Sequence, residues 1–233
     1  MALNAKAKAR QSTTISRETE GSDVFVRALR DGSLITADWK QAAILAGYGY
    51  TVNVGALSTG IVGGGNGTVI DQDEPECVLT IPNGYCVLPL RIAVQVQSGA
   101  VGDAEEVEIL IAVDQDKALD ATSIAGSTYT TEVIYNLNTL CGSTSSCACY
   151  SAFTDTITDP VLDLELARKV IEYEWSATSG SQNLEVDLLY EPKNPPVING
   201  PAQIVIYWGG DTATIGGFAE IQFLEFPESA FTL

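Results

Sequence analysis

Alternating apolar residues in one stretch, Glu76–Gln97, constrain the fold of this chain more than any other feature. The alternating positions on the two sides of Pro82-Asn83-Gly84 are Val78, Thr80, Leu88, Leu90, Ile92, Val94 and Val96. A period of two with β-branched residues is typical of strands that bury one face. Asn-Gly is a strong hairpin signal because both residues tolerate positive φ. The stretch therefore predicts a β-hairpin that runs into a long strand, with Cys86 facing Ile81.

Similar alternation continues from about residue 49 to residue 226 and predicts about ten strands. The other predicted strands are Tyr48–Val54, Glu105–Val113, Thr128–Leu137, Tyr150–Ile157, Leu184–Tyr190, Gln203–Trp208 and Phe218–Phe226. Residues 159–177 fit a helix opened by Pro160, but they also fit two strands with a kink near Arg168, which we favour. The turn spacing indicates an all-β fold in which two sheets form a sandwich.

The first 22 residues differ from the rest because few of them are large and apolar. They carry four basic side chains and no acid before residue 18, at Lys6, Lys8, Arg10 and Arg17. Residues 1–22 are therefore predicted to be either a disordered terminus or an arm that orders against a neighbouring subunit or an anionic surface. Residues 23–233 are predicted to form a single β-sandwich domain.

A short helix is predicted near residues 38–46, before the first strand. Asp38 is a suitable N-cap and Gly47 a suitable stop for it. We expect Trp39, Ile44 and Leu45 to pack on the sheet.

The net charge of −18 is distributed unevenly. Residues 1–40 hold seven of the 12 basic and five of the 30 acidic residues, which leaves a body of net charge −20. Such a body repels nucleic acid and anionic membranes, so that any contact with a polyanion must come from the N-terminal end. We find no secretory signal or transmembrane run and expect synthesis in a cytoplasm.

The sequence contains no histidine, which argues against most catalytic classes. Ser-His-Asp and Cys-His nucleophiles and His-ligated zinc are excluded. A glycosidase uses two carboxylates instead, and such a pair cannot be recognised among 30 scattered acids. We therefore predict a protein that is not an enzyme and holds no cofactor.

Two acidic clusters offer one exception, a calcium site at contacts between subunits. Its candidate oxygen ligands are Asp71, Asp73, Glu74, Asp114 and Asp116. The second cluster imitates the start of an EF-hand loop but lacks the glycine and the closing glutamate of that motif. The alternative for both clusters is a solvated acidic loop.

Five cysteines are present, and free thiols are the default expectation for a chain without a secretory signal. Cys77 and Cys86 are out of register across the predicted turn, so we expect no disulfide between them. Cys141, Cys147 and Cys149 share a Gly/Ser/Thr-rich loop, where a disulfide within the loop or between subunits is an alternative. Their spacing is not that of a zinc site.

The chain resembles jelly-roll capsid proteins of icosahedral viruses in four features taken together. They are the basic segment with Lys6, Lys8, Arg10 and Arg17, the strands from residue 49 onward, the stretch PNGYCVLPLRIAVQVQ and the C-terminal FAEIQFLEFPE. The chain is most similar in style to the single-jelly-roll major capsid proteins of tailless, membrane-containing phages. The resemblance implies a jelly-roll-like sandwich with an extended or disordered arm, which self-assembles into a closed shell in the virion. The implied partners are copies of itself, other capsid proteins and, through the arm only, an internal membrane or the genome. The chain lacks the arginine run expected for direct genome packaging.

The alternative function is a fibre, receptor-binding or carbohydrate-binding β-sandwich. Trp39, Trp175 and Trp208, together with nine tyrosines, are the candidates for stacking on sugars. The competing interpretation places these tryptophans in the core.

Overall fold

A computed structural model of the chain describes residues 38–56, 58–63, 70–101, 105–115, 128–153, 160–173, 182–210 and 215–230. The predicted arm of residues 1–22 lies outside the described residues. The division of the chain into that arm and one domain from residue 23 therefore stays a prediction. No helix in the part that the structure describes is suited to cross a bilayer.

The described residues form one α-helix, thirteen strands and a short 3-10 helix at Glu228–Ala230. The first elements are α1 (Trp39–Leu45), β1 (Gly49–Val54), β2 (Ile61–Val62), β3 (Cys77–Ile81), β4 (Tyr85–Val101) and β5 (Glu105–Gln115). The next are β6 (Thr130–Glu132), β7 (Ile134–Asn136), β8 (Ala148–Ser151) and β9 (Leu164–Tyr173). The last are β10 (Gln182–Tyr190), β11 (Ile198–Asn199), β12 (Ala202–Gly210) and β13 (Ile215–Pro227).

The strands form two antiparallel sheets. The seven-stranded sheet has the order β10-β4-β13-β1-β7, with β11 beside β4 and β2 beside β13, and the six-stranded sheet has the order β6-β8-β3-β12-β5-β9. Without β2, β11 and β6–β8, eight strands remain. Numbered along the chain, they lie in the orders 1-8-3-6 and 2-7-4-5, which is the strand order of a jelly roll. The predicted all-β, jelly-roll-like sandwich is confirmed.

The core lies between the two sheets. Large side chains that are fully buried there come from both sheets, including Ile92 and Phe223 from one and Leu79, Ile111 and Trp208 from the other. Each alternates along its strand with residues of the outer face, as the period of two requires. The apolar pattern of the sequence therefore marks the core correctly.

The predicted hairpin around Pro82–Gly84 is wrong, although its two strands exist. β3 pairs with β8 and β12, whereas β4 pairs with β10, β11 and β13, so the turn carries the chain from one sheet to the other. A type I′ hairpin needs positive φ at both central residues, but only Gly84 has it, at 84°. Cys86 consequently does not face Ile81, because these residues lie in different sheets.

The predicted strand Thr128–Leu137 is also divided between the two sheets. β6 pairs with β8 in the six-stranded sheet, and β7 pairs with β1 in the seven-stranded sheet. Val133 alone separates them. We call β6, β7 and β8 the edge insertion, because they lie between β5 and β9 in the chain and extend both sheets at one side of the sandwich.

The ambiguous stretch after Pro160 forms β-structure, as favoured, but as one described strand, β9, rather than two. β9 pairs with β5 along its length, and the register shifts where Ile111 and Ala112 face Ala167 and Glu165. This irregularity, at Leu166, lies close to the kink predicted near Arg168. β8 begins two residues earlier than predicted, and residues 154–157 of the predicted strand lie outside the described part.

Helix α1 begins and ends as predicted. The Asp38 carboxylate accepts a hydrogen bond from the backbone N–H of Lys40 at 2.8 Å, which is the capping geometry expected at this end. Ala43 is buried and Ile44 packs with Leu88 and Leu224 on the outer face of the seven-stranded sheet. The packing predicted for the other two side chains is wrong, because Trp39 and Leu45 are at least half exposed.

Candidate assembly surface

The loop before β3 uses its acids for its own folding. The Asp71 carboxylate accepts from the backbone N–H of Asp73 at 3.1 Å, and its carbonyl accepts from that of Glu74 at 3.2 Å. Glu76 is buried and accepts the backbone N–H of Trp208 at 2.8 Å. These contacts fix the loop over the outer face of the six-stranded sheet.

Asp114 is buried on that same outer face and pairs with a neighbour on β12. Gln203 donates its side-chain amide to the Asp114 carboxylate at 2.9 Å, and both side chains are almost fully buried. The Tyr207 hydroxyl lies nearby and donates to the Gln72 carbonyl at 2.9 Å. Burial, followed by the charges of Glu76 and Asp114, raises the pKa of Tyr207.

Two of the calcium candidates, Asp71 and Asp114, therefore use their carboxylates in contacts within the chain. Among the residues that it describes, no three His, Cys, Asp or Glu side chains form a group that could hold a metal ion. Asp116 lies outside the described residues. A calcium ion between subunits stays a prediction.

All five cysteines are free thiols, and the three in the predicted loop differ in their environments. Cys141 is partly exposed, and its contact with the Ser143 hydroxyl at 3.0 Å lowers the pKa of the thiol. Cys147 and Cys149 are buried, and burial raises the pKa of Cys147. Cys149 belongs to β8 and not to a loop.

The closest cysteine pair is one that the sequence does not indicate. The sulfurs of Cys77 and Cys149 lie 3.7 Å apart between β3 and β8, in the core. Their contact and their burial raise the pKa of Cys77 well above its ordinary value. Buried thiols of this kind are weak nucleophiles, so the pair acts as apolar packing.

The tryptophans proposed for sugar stacking differ in how far they are exposed to solvent. Trp208 is fully buried, and its indole N–H donates to the Ile61 carbonyl at 3.1 Å. Trp39 is 50% exposed on α1, and Trp175 lies outside the described residues. Stacking by Trp208 is therefore ruled out, and Trp39 is the remaining candidate among the described tryptophans.

The edge insertion carries an exposed apolar patch that the sequence analysis missed. Leu140 is 96% exposed, and Leu45, Val133 and Tyr135 are each more than half exposed. Asn138 connects two of the members, because its side chain donates to the Leu45 carbonyl at 2.9 Å and accepts from the Leu140 N–H at 3.2 Å. We call these four residues the edge patch. A lone leucine at position 140 beside a Gly/Ser/Thr loop was its sequence signal.

The other open feature is a groove of 650 Å³ on the outer face of the seven-stranded sheet. Ala93 on β4 and Ala219 on β13 line it, together with Leu189 and Phe218. Its charged members are Asp187 and the ion pair of Arg91 with Glu220. The groove combines apolar lining with acidic side chains and is open to solvent.

Comparisons with protein-family models, with curated proteins and with solved structures found no match for this chain. The basic residues Lys6, Lys8, Arg10 and Arg17 lie outside the described residues.

Proposed function

We propose that this chain is a structural subunit of an icosahedral virus capsid and has no enzymatic role. The observation that carries the proposal is the strand order, 1-8-3-6 in one sheet and 2-7-4-5 in the other. Jelly rolls with this order form viral capsids, but they also occur in lectins and cupins. The strand order alone therefore does not distinguish a capsid protein from a lectin or a cupin, and the surface and charge of the chain must do so.

Two further features favour assembly over small-molecule chemistry. The edge patch places four large apolar side chains at one side of the sandwich, where an isolated subunit would expose them to water. The body carries −20 while the first 17 residues carry four basic side chains and no acid, so neighbouring copies attract through opposite charges. Partners of the subunit are then copies of itself and other capsid proteins, with an internal membrane or the genome reached through residues 1–22.

The decisive experiment is the mass of the purified full chain, measured by light scattering and by negative-stain microscopy. We expect shells, or rings of five or six subunits. The variant with Lys6, Lys8, Arg10 and Arg17 all changed to glutamate should fail to form them. Its matched control exchanges lysine and arginine at the same four positions, which keeps the charge, and should assemble as the parent does.

A single species of trimer size, unchanged by charge reversal, would contradict the capsid proposal and favour a fibre or carbohydrate-binding module. A monomer at every concentration would contradict self-assembly by this chain alone. Binding of soluble glycans, lost on Trp39→Ala, would support the carbohydrate-binding alternative, because Trp39 is the exposed tryptophan among the described residues.

A further inference from the structure

The outer faces of the two sheets are covered to different degrees. On the six-stranded sheet, Tyr207, Val205 and Leu110 pack beneath Ile70 and Leu162 from flanking segments. On the seven-stranded sheet, α1 covers one end, and the groove beside it is open. Leu189, on the groove wall, is 55% exposed. A large, partly apolar surface therefore has no cover within the described residues.

The first described residue, Asp38, lies beside this groove. Arg91 lines both the groove and a cavity of 270 Å³ that also contacts Asp38, the first described residue. Lys40 donates to the Pro192 carbonyl at 3.3 Å, just beyond β10. Asn138, just after β7, binds the carbonyl of Leu45 at the other end of α1. The start of the helix therefore lies on the β4 and β10 side, where the groove is.

The segment that immediately precedes Asp38 has the composition to fill the groove. Residues 23–37 contain large apolar side chains, which residues 1–22 largely lack, and the members are Val24, Phe25, Val26, Leu29, Leu34 and Ile35. Arg27 and Arg30 provide local positive charge, although Asp23 and Asp31 make the segment neutral overall. The groove offers Asp187, with Glu185 two residues away on the same strand face, and both are exposed.

Length poses no obstacle to this placement. Fifteen extended residues span about 50 Å. The groove runs along β4 from Arg91 to Gln95, which is about 13 Å at the rise of a strand. A tethered segment this close to its site also has a high effective concentration, which favours it over the same segment of another copy.

We propose that residues 23–37 lie in the groove of their own chain, with apolar side chains against Leu189 and Phe218 and an arginine near Asp187. This inference does not depend on the capsid proposal, because it concerns a contact within one chain. It assigns the groove on the outer face of the seven-stranded sheet to a segment of the protein itself.

Amide hydrogen exchange of the full chain, followed by mass spectrometry, tests the proposal. Peptides within residues 23–37 should exchange about tenfold or more slowly than a free peptide of the same sequence. Ala93→Arg should remove this protection, because the new side chain occupies the groove. Val161→Arg changes an exposed residue outside the groove and is the control that should keep the protection.

A second pair of variants leaves the described sandwich unchanged. Phe25→Asp should increase the hydroxyl-radical modification of Leu189 and Phe218 several-fold, whereas Thr14→Asp, in the preceding segment, should not. Protection of residues 23–37 should be independent of protein concentration. Protection that disappears on dilution would assign the groove to a second copy, and free-peptide exchange rates in the parent protein would show it to be unoccupied; either result overturns the proposal.

Discussion

Cys86 shows how a single buried group couples the stability of this protein to pH. The thiol lies 3.5 Å from the Phe226 carbonyl, to which it donates, and is almost fully buried at the start of β4. Burial raises its pKa from 9.0 to about 11. The folded chain thus holds this proton at pH values where the unfolded chain has lost it.

We predict that the free energy of unfolding falls as the pH rises from about 9 to about 11. The sign follows because the raised pKa adds stability that is complete below pH 9 and is lost as the unfolded thiol ionises. Cys77, Cys147 and Tyr207 have pKa values raised in the same direction and add to the loss. Urea unfolding at a series of pH values measures it.

Cys86→Ala should show a smaller alkaline loss than the parent. Cys141→Ala is the matched control, since the pKa of Cys141 is lowered and its removal should leave the loss at least as large. Identical pH profiles for the parent and Cys86→Ala would contradict this assignment.

At the same scale, the sequence identifies the side chains but not their roles. Glu76 and Asp114 belong to acidic clusters with the composition of a calcium site. Both are buried, because β12 brings the Trp208 N–H and Gln203 to them from about 90 to 130 residues away. Cys77 and Cys149 likewise meet across 72 positions. No local pattern reports such pairings.

Individual helices and strands could be predicted from the sequence better than the contacts of single side chains. The N-cap of α1 and most strands follow from residue types within a few positions, and the structure places them with small shifts. What local patterns cannot tell is the sheet to which a strand belongs. β3 and β4, like β6 and β7, are neighbours in the chain but lie in different sheets. Alternation reports one buried face, and in a sandwich both sheets face the same core.

A second prediction concerns the turn between β3 and β4. Gly84 has φ of 84° and nothing within 4 Å of the position where a Cβ would lie. Gly84→Ala should therefore destabilise the fold through its backbone alone, by about 1 kcal/mol. Gly84→Asn should cost less, because asparagine tolerates this conformation.

Gly142→Ala is the control for this position. Its added methyl group also meets nothing within 4 Å, but the backbone of Gly142 has no positive φ. Its effect on the free energy of unfolding, measured by denaturation in urea, should be close to zero. Equal losses for Gly84→Ala and Gly142→Ala would show that the turn stores no conformational preference.

For the whole molecule, charge and edge patch act together. A net charge of −18 keeps isolated copies apart in spite of the attraction between the −20 body and the basic first 17 residues, so a capsid subunit also needs a specific apolar contact. In the proposed capsid the edge patch supplies this contact, and Leu140 is its most exposed member. The repulsion could be predicted from the sequence, because it follows from the charge. The edge patch could not, because its residues come together only in the folded chain.

Leu140→Glu should abolish the large particles expected for the parent. The substitution should change the free energy of unfolding by no more than about 0.5 kcal/mol, because the side chain is exposed. Val161→Glu alters another exposed apolar residue outside the patch and should assemble normally. Light scattering and urea unfolding of the three proteins give both quantities. Normal assembly of Leu140→Glu would remove the edge patch from the proposal.

The brevity of β6 and β7 has a consequence for how copies of this protein avoid fusing. Without the edge insertion, β1 and β3, of six and five residues, would be the outermost strands at that side. Strands of three residues take their place and leave about two free backbone groups each for an incoming chain. Fibre-like growth by strand addition therefore has almost no template at that side of the sandwich, and any contact made there is left to side chains, which can be selective.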